Sequence, residues 1–155
     1  MVMKPSAVKV QETLRSIGLQ ASVIEFSEST RTAQDAANAL KTSVGQIAKS
    51  LVFMAEDRPI LIIASGVNRV DLGKMAKVIG LPLRKADADL VRDLTGFAIG
   101  GIPPVGHKNK METYIDQDLL QYPVVFAAAG TPNAVFRIEP RRLVEITAGQ
   151  VTEVK

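Results

Sequence analysis

A lysine at the start of an apolar run is the first residue in this sequence that could do chemistry. Lys49 is followed by Ser50 and then by three apolar residues at 51–53. Because side chains in a strand alternate between its two faces, Lys49 should share one face with Leu51 and Phe53. Its side chain either extends along this face to keep the ammonium in water, or is partly buried for a purpose. A buried ammonium could hold a phosphate or stabilise negative charge developing on a carbonyl oxygen.

A loop rich in glycine and proline, at residues 100–107, is the second candidate. Glycine lets the backbone approach a ligand closely and expose its amide donors, and proline fixes a loop so that such donors are pre-organised. A rigid structural turn would have the same composition. The histidine of this loop, His107, fits a solvated residue as well as a catalytic base.

A third candidate is the run of small residues at 127–133. Small side chains at a strand end can line a compact pocket, but they also pack ordinary sheets. The residue types alone support both interpretations equally.

Several common chemistries lack the residues that they need. The chain has no cysteine and a single histidine, which excludes thiolate nucleophiles, disulfides and zinc sites built on cysteine or several histidines. Neither a Gly-x-Ser-x-Gly nucleophile elbow nor a Gly-x-x-x-x-Gly-Lys phosphate loop is present. The glycines at 96–101 do not open a helix, so a dinucleotide-binding fingerprint is not expected either.

The bulk composition is that of a folded protein. With 155 residues, 46% of them hydrophobic, the chain predicts one domain over residues 1–155. A net charge of +3 permits a polyanionic partner without requiring one. The N-terminus lacks the apolar stretch of a signal peptide, and the most apolar run, at 59–66, is far shorter than a membrane span. We therefore expect a cytoplasmic protein that does not enter a membrane.

Helices and strands are interspersed irregularly along the chain. Helices are predicted from an N-cap at Ser6 to Gly18, from Thr32 to Leu40, around 44–47, from Asp71 to Ile79, from Asp87 or Asp89 to Gly96, and from Pro140. Strands are predicted at 23–26, 50–55, 60–64, 97–102, 113–116, 124–129 and 134–138, with residues 150–154 closing the chain. Several neighbouring strands are typical of hairpins. The pattern predicts an α+β fold with a mixed, largely antiparallel sheet.

Taken in order, several segments resemble the YbaK family of aminoacyl-tRNA editing domains, which includes domains associated with prolyl-tRNA synthetase. The segments are Thr-Arg-Thr-Ala-Gln-Asp-Ala-Ala at 30–37, Gln-Ile-Ala-Lys-Ser-Leu-Val-Phe at 46–53, Ala-Ser-Gly-Val-Asn-Arg-Val-Asp at 64–71, Lys-Ala-Asp at 85–87, Thr-Gly-Phe-Ala-Ile-Gly-Gly-Ile-Pro-Pro-Val-Gly-His at 95–107 and Ala-Ala-Gly-Thr-Pro-Asn-Ala-Val-Phe at 128–136. One segment alone would be a weak signal, but the ordered set, which spans nearly the whole chain, is a strong one.

This resemblance implies a fold and an activity. The fold is a single α+β domain with a mixed, barrel-like sheet and surrounding helices. The activity is hydrolysis of the ester that joins a wrong amino acid to tRNA, often tRNA for proline, with no metal or other cofactor. A ribose hydroxyl of the terminal adenosine would assist the attacking water. A small amino acid such as alanine, cysteine, serine or threonine is the expected substrate, because hydrophobic pockets discriminate poorly among small side chains.

The resemblance also assigns residues to the site. The family's hallmark lysine corresponds to Lys49, and its Gly-x-x-x-Pro loop corresponds to residues 100–104. We hypothesise that Lys49 contacts the terminal nucleotide or the carbonyl, with the amides of Gly100 and Gly101 near the scissile ester. The residues expected to bind substrate are Thr32, Ile102, Pro103, Pro104, His107, Gly130 and Asn133. Helix capping explains Thr32 equally well.

Three functions compete on these grounds. The first is an editing hydrolase that acts on the acceptor end of aminoacyl-tRNA, as a monomer or homodimer, with prolyl-tRNA synthetase as a partner. The second is a non-catalytic module with the same fold that binds tRNA or an amino-acid-like ligand beside a synthetase. The presence of both Lys49 and the 100–104 loop favours catalysis. A DNA-binding protein is poorly supported, because no helix combines clustered basic residues with helix-turn-helix spacing.

Overall fold

The computed structural model describes residues 3–27 and 32–155. The helices are α1 (Pro5–Ser16), α2 (Ala33–Leu40), α3 (Leu72–Ile79), α4 (Ala88–Thr95) and α5 (Pro140–Thr147). The strands are β1 (Val23–Glu25), β2 (Ile47–Ala55), β3 (Arg58–Ser65), β4 (Arg84–Lys85), β5 (Glu112–Asp116), β6 (Val125–Ala128), β7 (Ala134–Ile138) and β8 (Gln150–Thr152). Short 3-10 turns cover Val44–Gln46 and Gln117–Gln121. Thr30 and Arg31, which begin the first segment of the family resemblance, lie outside the described residues.

The strands form one mixed sheet in the order β1-β7-β6-β2-β3-β5-β8, and β4 adds to β2 on the side away from β3. The pairs β1–β7, β6–β7, β2–β3 and β2–β4 are antiparallel. The pairs β2–β6, β3–β5 and β5–β8 are parallel. The predicted α+β class with a mixed sheet is confirmed. Within the described residues, no helix is long and apolar enough to cross a membrane.

Both faces of the central hairpin are buried. In β3, Leu61 and Ile63 join a core cluster that also contains α1, α4 and α5 residues, represented by Leu14, Val91 and Leu143. The alternate β3 residues, at 60, 62 and 64, point to the opposite face and pack in a second cluster around Met75 of α3. Successive side chains of β3 point to opposite faces of the sheet, and both faces pack against apolar residues. For this reason β3 is a continuous apolar run.

Most helix starts follow local capping signals. The side chains of Thr32, Asp71 and Asp87 accept hydrogen bonds from backbone amides three residues on and so cap α2, α3 and α4. The predicted N-cap at Ser6 is wrong. Helix α1 begins two residues earlier than predicted, at Pro5, with Lys4 in the N-cap position. Proline is favoured in the first helical turn because its missing N–H has no partner there.

The predicted strand at 97–102 is also wrong, because these residues form a loop. Gly100 has a φ of 93°, a conformation that ordinary strand residues do not adopt. The amide of Gly101 turns back to donate a 3.0 Å hydrogen bond to the Ala98 carbonyl. The glycines therefore convert an apolar run into a turn.

Candidate active site

The candidate site begins at a gap in the sheet along β2. Strand β6 pairs with β2 only at residues 47 and 48, and β4 pairs with it only at residues 53 and 54. Between these two neighbours, residues 49–51 of β2 have no strand beside them on that edge among the described residues. The backbone of β2 is held on its other side by β3, with Lys49 opposite Ala64.

The register decides which backbone groups face this gap. The carbonyl of Ile47 accepts a hydrogen bond from Gly66, beyond the end of β3, so the odd-numbered residues of β2 direct their backbone groups toward β3. The even-numbered residues direct theirs the other way, as the bond from the Ala86 amide to the Val52 carbonyl shows. Ser50 therefore presents its N–H and C=O to the gap.

A cleft of about 630 Å³ opens at this gap. Its walls come from β2, the segment before α3, the segment from β4 into α4, and the loop after α4. The lining residues are Lys49, Ser50, Leu51, Val52, Phe53, Arg69, Val70, Leu72, Lys85, Ala86, Val91, Ile99 and Ile102. A cleft of this volume is in the range that binds small ligands.

The cleft has two chemically distinct parts. The cations Lys49, Arg69 and Lys85 line it and have no ion pair with a carboxylate among residues 3–27 and 32–155. The other part is apolar and includes Ile99 and Ile102 from the loop after α4. We call these parts the cationic part and the apolar part. A ligand that carries both a negative group and a small apolar group fits these two kinds of lining residue.

Lys49 is the half-buried cation of the three. Burial lowers the pKa of its ammonium below the ordinary lysine value, and the positive charge of Arg69 lowers that pKa further. The carboxylate of Asp116 acts in the opposite direction but is the weakest of the three influences. A lysine in this setting gains from an anionic ligand, because the ligand would offset both the burial and the repulsion.

Ser50 carries an unusual hydroxyl. Its Oγ is buried and has no hydrogen-bond partner in the described part of the chain. Most buried polar side-chain atoms in proteins have such a partner, so an exception beside a cleft calls for an explanation. Ser50 also lines the cleft and presents its backbone N–H and C=O to the gap.

The two predicted glycines, Gly100 and Gly101, lie in the loop beside the cleft. Neither Gly100 nor Gly101 lines the cleft, although Ile99 and Ile102 on either side of them do. The Gly101 amide donates to the Ala98 carbonyl, and our hypothesis that the two glycine amides lie near the ester stays a prediction. A Cβ on Gly101 would lie 2.8 Å from the backbone of Thr131, which shows how closely the two loops pack. Gly101 therefore shapes the site through packing.

His107 lies apart from the cleft. Its Nε2–H donates a 2.6 Å hydrogen bond to the carbonyl of Pro103. The ring lines a different recess, which Pro104 also lines. Burial lowers the pKa of His107, although the bond to Pro103 opposes the shift. Its contacts are those of a brace that holds the proline loop, while Pro103 and Pro104 are buried within that loop.

The remaining predicted site residues hold loops together. Asn133 accepts a hydrogen bond from the Thr131 hydroxyl and donates one to the Phe26 carbonyl. A Cβ on Gly130 would lie 2.5 Å from the Ser6 carbonyl, so this glycine lets the β6–β7 turn pack on α1. Thr32 caps α2. None of Thr32, Gly130 and Asn133 lines the cleft, and of the predicted residues only Lys49 and Ile102 do.

Sequence reasoning missed several lining residues. Arg69 lies within a segment that carries the family resemblance, two residues before the N-cap Asp71, but nothing in its residue type or spacing indicates a place in the site. Ile99 gave no sequence signal beyond its place beside the glycine pair, and only the structure shows that it is 56% exposed. Ser50 had no signal beyond its position next to Lys49.

Comparison with known proteins places the chain in a family. The aminoacyl-tRNA editing domain family matches residues 27–146, and the chain belongs to this family. The protein YwhH of Bacillus subtilis is 35% identical over 130 residues, which cover 83% of each chain. The candidate Cys-tRNA(Pro)/Cys-tRNA(Cys) deacylase EbsC of Enterococcus faecalis is 29% identical over 133 residues, covering 83% of this chain and 80% of EbsC.

A solved structure supports the same assignment. The structure of a candidate trans-editing enzyme for prolyl-tRNA synthetase is 50% identical, with 99% of both chains covered and a TM-score of 0.97. The proline–tRNA ligase of Thermoanaerobacter pseudethanolicus matches 62% of this chain but only 17% of its own length, at 24% identity. The predicted family, fold class and class of activity, an aminoacyl-tRNA deacylase, are confirmed.

Proposed function

We propose that this chain hydrolyses the ester of mischarged tRNA for proline that carries a small amino acid. The observation that carries this proposal is the position of Lys49, a half-buried cation without an ion pair in the described residues, beside an apolar recess at a gap in the sheet. The named activity of EbsC toward Cys-tRNA(Pro) and the similarity to part of proline–tRNA ligases support the choice of tRNA.

The two parts of the cleft suggest how the acceptor end binds. The terminal phosphates would lie in the cationic part, because lysine and arginine form strong charge-assisted hydrogen bonds with phosphate. The amino-acid side chain would enter the apolar part between Ile99 and Ile102. The ester would then lie over the strand floor at Ser50, whose backbone amide faces the gap.

Hydrolysis requires few protein groups in this arrangement. The oxygen of water attacks the ester carbonyl carbon, the bond from that carbon to the ribose oxygen breaks, and the ribose oxygen leaves with a proton. A neighbouring ribose hydroxyl of the substrate would relay that proton. Lys49 would stabilise the negative charge that accumulates in the transition state, and the fixed cleft would orient the water.

The test is a deacylation assay with purified protein and a panel of labelled alanyl-, cysteinyl-, seryl-, threonyl- and prolyl-tRNA(Pro), without added metal. We expect one or more mischarged species to be hydrolysed and prolyl-tRNA(Pro) to survive. Lys49→Ala should lower kcat/KM by about 10²–10³-fold, the usual effect of removing one group that stabilises the transition state. Lys77→Ala is the matched control, because Lys77 is an exposed lysine of α3 that does not line the cleft.

The outcomes separate the competing functions. Hydrolysis that is equally fast in wild type and Lys49→Ala would overturn the role of Lys49. Binding of tRNA at micromolar protein concentration with no hydrolysis of any ester would favour the non-catalytic synthetase partner instead. Hydrolysis of a mischarged tRNA other than tRNA(Pro), with tRNA(Pro) esters stable, would overturn the proposed specificity.

A further inference from the structure

We propose that Arg69 binds a phosphodiester of the single-stranded tRNA 3′ end and, beside Lys49, sets the position of the ester in the cleft. This inference rests on the proposed function, since it names the residue that orients the same substrate. Arg69 lies in the segment between β3 and α3, is exposed and lines the cleft. Neither the residue types nor the family resemblance assigned it a role.

The first argument is the pairing of charges. Elsewhere in the described chain, several surface cations pair with carboxylates, as in Arg58 with Glu112 at 2.7 Å. Arg69 has no ion pair within residues 3–27 and 32–155, a property that it shares with most lysines and arginines there. It differs from them because it lines the cleft beside half-buried Lys49, whose pKa its positive charge lowers. Two cations that line one cleft are suited to an anion, and a guanidinium binds a phosphate through two parallel hydrogen bonds.

Asp116, the one buried carboxylate among the described residues, accepts hydrogen bonds from neighbouring groups of the fold. Asp116 is 1% exposed, and its Oδ2 accepts hydrogen bonds from the Ser65 amide at 2.9 Å and the Asn68 side chain at 2.8 Å. Its Oδ1 accepts from the Asp118 amide at 2.9 Å. Asp118 in turn forms a 3.1 Å ion pair with Lys155. Both carboxylates therefore have structural partners, and neither forms an ion pair with Arg69 within the described residues.

The second argument is the rigidity of the backbone that carries Arg69. On one side, buried Asn68 is held by both Asp116 and Asp118 through 2.8 Å hydrogen bonds from its amide nitrogen. On the other side, the Asp71 amide donates to the Val154 carbonyl at 2.7 Å, and the Asp71 side chain caps α3. The Cα of Arg69 is fixed from both directions, so its side chain can be ordered by a ligand at a small entropic cost.

The third argument is a further cation. Lys85 of β4 lines the same cleft and is exposed. With Lys49 and Arg69, three cations therefore line one cleft beside strand β2. Single-stranded nucleic acid binds in grooves of this kind, with affinity that depends strongly on salt.

The main test compares two substrates that differ in phosphate content. One is the mischarged tRNA that wild type hydrolyses fastest, and the other is the same amino acid esterified to adenosine, which has no phosphodiester. For Arg69→Ala, we expect the KM for the tRNA to rise about fivefold to tenfold, with kcat much less affected. The loss on aminoacyl-adenosine should be several times smaller. Arg69→Lys should recover part of the loss, and Arg141→Ala, an exposed arginine of α5, is the control.

A second measurement uses uncharged tRNA and does not depend on catalysis. The logarithm of its association constant should fall linearly with the logarithm of salt concentration, and Arg69→Ala should reduce that slope by about 0.7, the value for one phosphate contact on a single strand. The control Arg141→Ala should retain the wild-type slope.

The results distinguish this inference from the proposed function. If wild type hydrolyses neither substrate, the proposed function fails, and the salt slope alone then decides whether Arg69 contacts phosphate. If wild type hydrolyses both but Arg69→Ala lowers kcat/KM equally for both, or for neither, the inference is overturned while the proposed function stands. An unchanged salt slope in Arg69→Ala would also overturn it.

Discussion

The contact between the two glycine loops allows a sharp prediction about Gly101→Ala. An added Cβ at Gly101 would lie 2.8 Å from the Thr131 Cα, 2.8 Å from the Thr131 nitrogen and 2.9 Å from the Gly130 carbonyl carbon. All three atoms belong to the backbone, so no side-chain rotation can make room. The loops must separate, and the 2.8 Å hydrogen bond from the Gly130 amide to the Gly101 carbonyl would stretch or break.

The expected cost follows from these two effects. Overpacking a close contact costs about 1–3 kcal/mol, and loss of the hydrogen bond adds about 0.5–1.5 kcal/mol. We therefore expect the free energy of unfolding to fall by about 1.5–4.5 kcal/mol. The melting temperature should fall by about 3–18 °C in a chain of this size. Deacylation should also fall at temperatures where the variant is folded, because Ile102 follows Gly101 directly and lines the cleft.

Urea unfolding followed by circular dichroism measures the first effect, and the deacylation assay measures the second. Gly73→Ala is a matched control, since the nearest atom to its added Cβ is an Asp71 side-chain oxygen at 3.4 Å. In helix α3 this change should stabilise the protein by about 0.5–1 kcal/mol. If Gly101→Ala were as stable as wild type within about 0.5 kcal/mol, the packing of the two loops deduced from the contacts would be refuted.

Three further predictions concern His107, Ile99 and Ser50. Because burial lowers the pKa of His107, the unfolded chain should take up the histidine proton first as the pH falls, so the free energy of unfolding should decline below about pH 6.5. His107→Asn should remove that decline below about pH 6.5, and an equal pH dependence in the variant would contradict the assignment. Ile99→Ala should enlarge the apolar part at little cost in stability, because the side chain is 56% exposed, and should raise the rate with a larger amino acid relative to alanine about tenfold. A panel of esters on one tRNA measures that ratio, and an unchanged ratio would place the side chain of the substrate elsewhere. Ser50→Ala should keep or raise the free energy of unfolding, by up to about 1 kcal/mol, because it removes a buried hydroxyl without a partner in the described residues. A clear loss of stability in urea unfolding would mean that this hydroxyl is hydrogen-bonded in solution.

Local signals in the sequence predicted local structure well. The caps at Asp71 and Asp87 required only the aspartate and the apolar periodicity after it. The shared face of Lys49, Leu51 and Phe53 followed from strand alternation, and Leu51 and Phe53 indeed pack in one cluster. These features depend on neighbours within a few residues, which is the range that a sequence pattern can report.

The shape of the site depends on contacts that no local pattern contains. The gap beside Lys49 exists because β6 stops pairing at Ala48 and β4 starts at Phe53, and those strands lie far away in sequence. The roles of Gly101 and Gly130 follow likewise from the packing of one loop on another and on α1. The sequence marked these glycines as special but could not show whether they face a ligand or a neighbouring loop.

The groups proposed to act on the ester and the residue proposed to select the amino acid lie on different parts of the fold. Lys49 and Ser50 lie on β2, which is paired along its whole length with β3, the most deeply buried strand of the core. The groups proposed to act on the ester are therefore held by the rigid part of the fold, as accurate positioning requires. Ile99, by contrast, is exposed on a loop whose contacts at Gly100 and Gly101 are made by another loop. Changes in that loop can alter which side chain fits the apolar part without disturbing β2. This separation predicts that relatives with different amino-acid preferences differ mainly in the loop at 97–104 and keep the cations at positions 49 and 69.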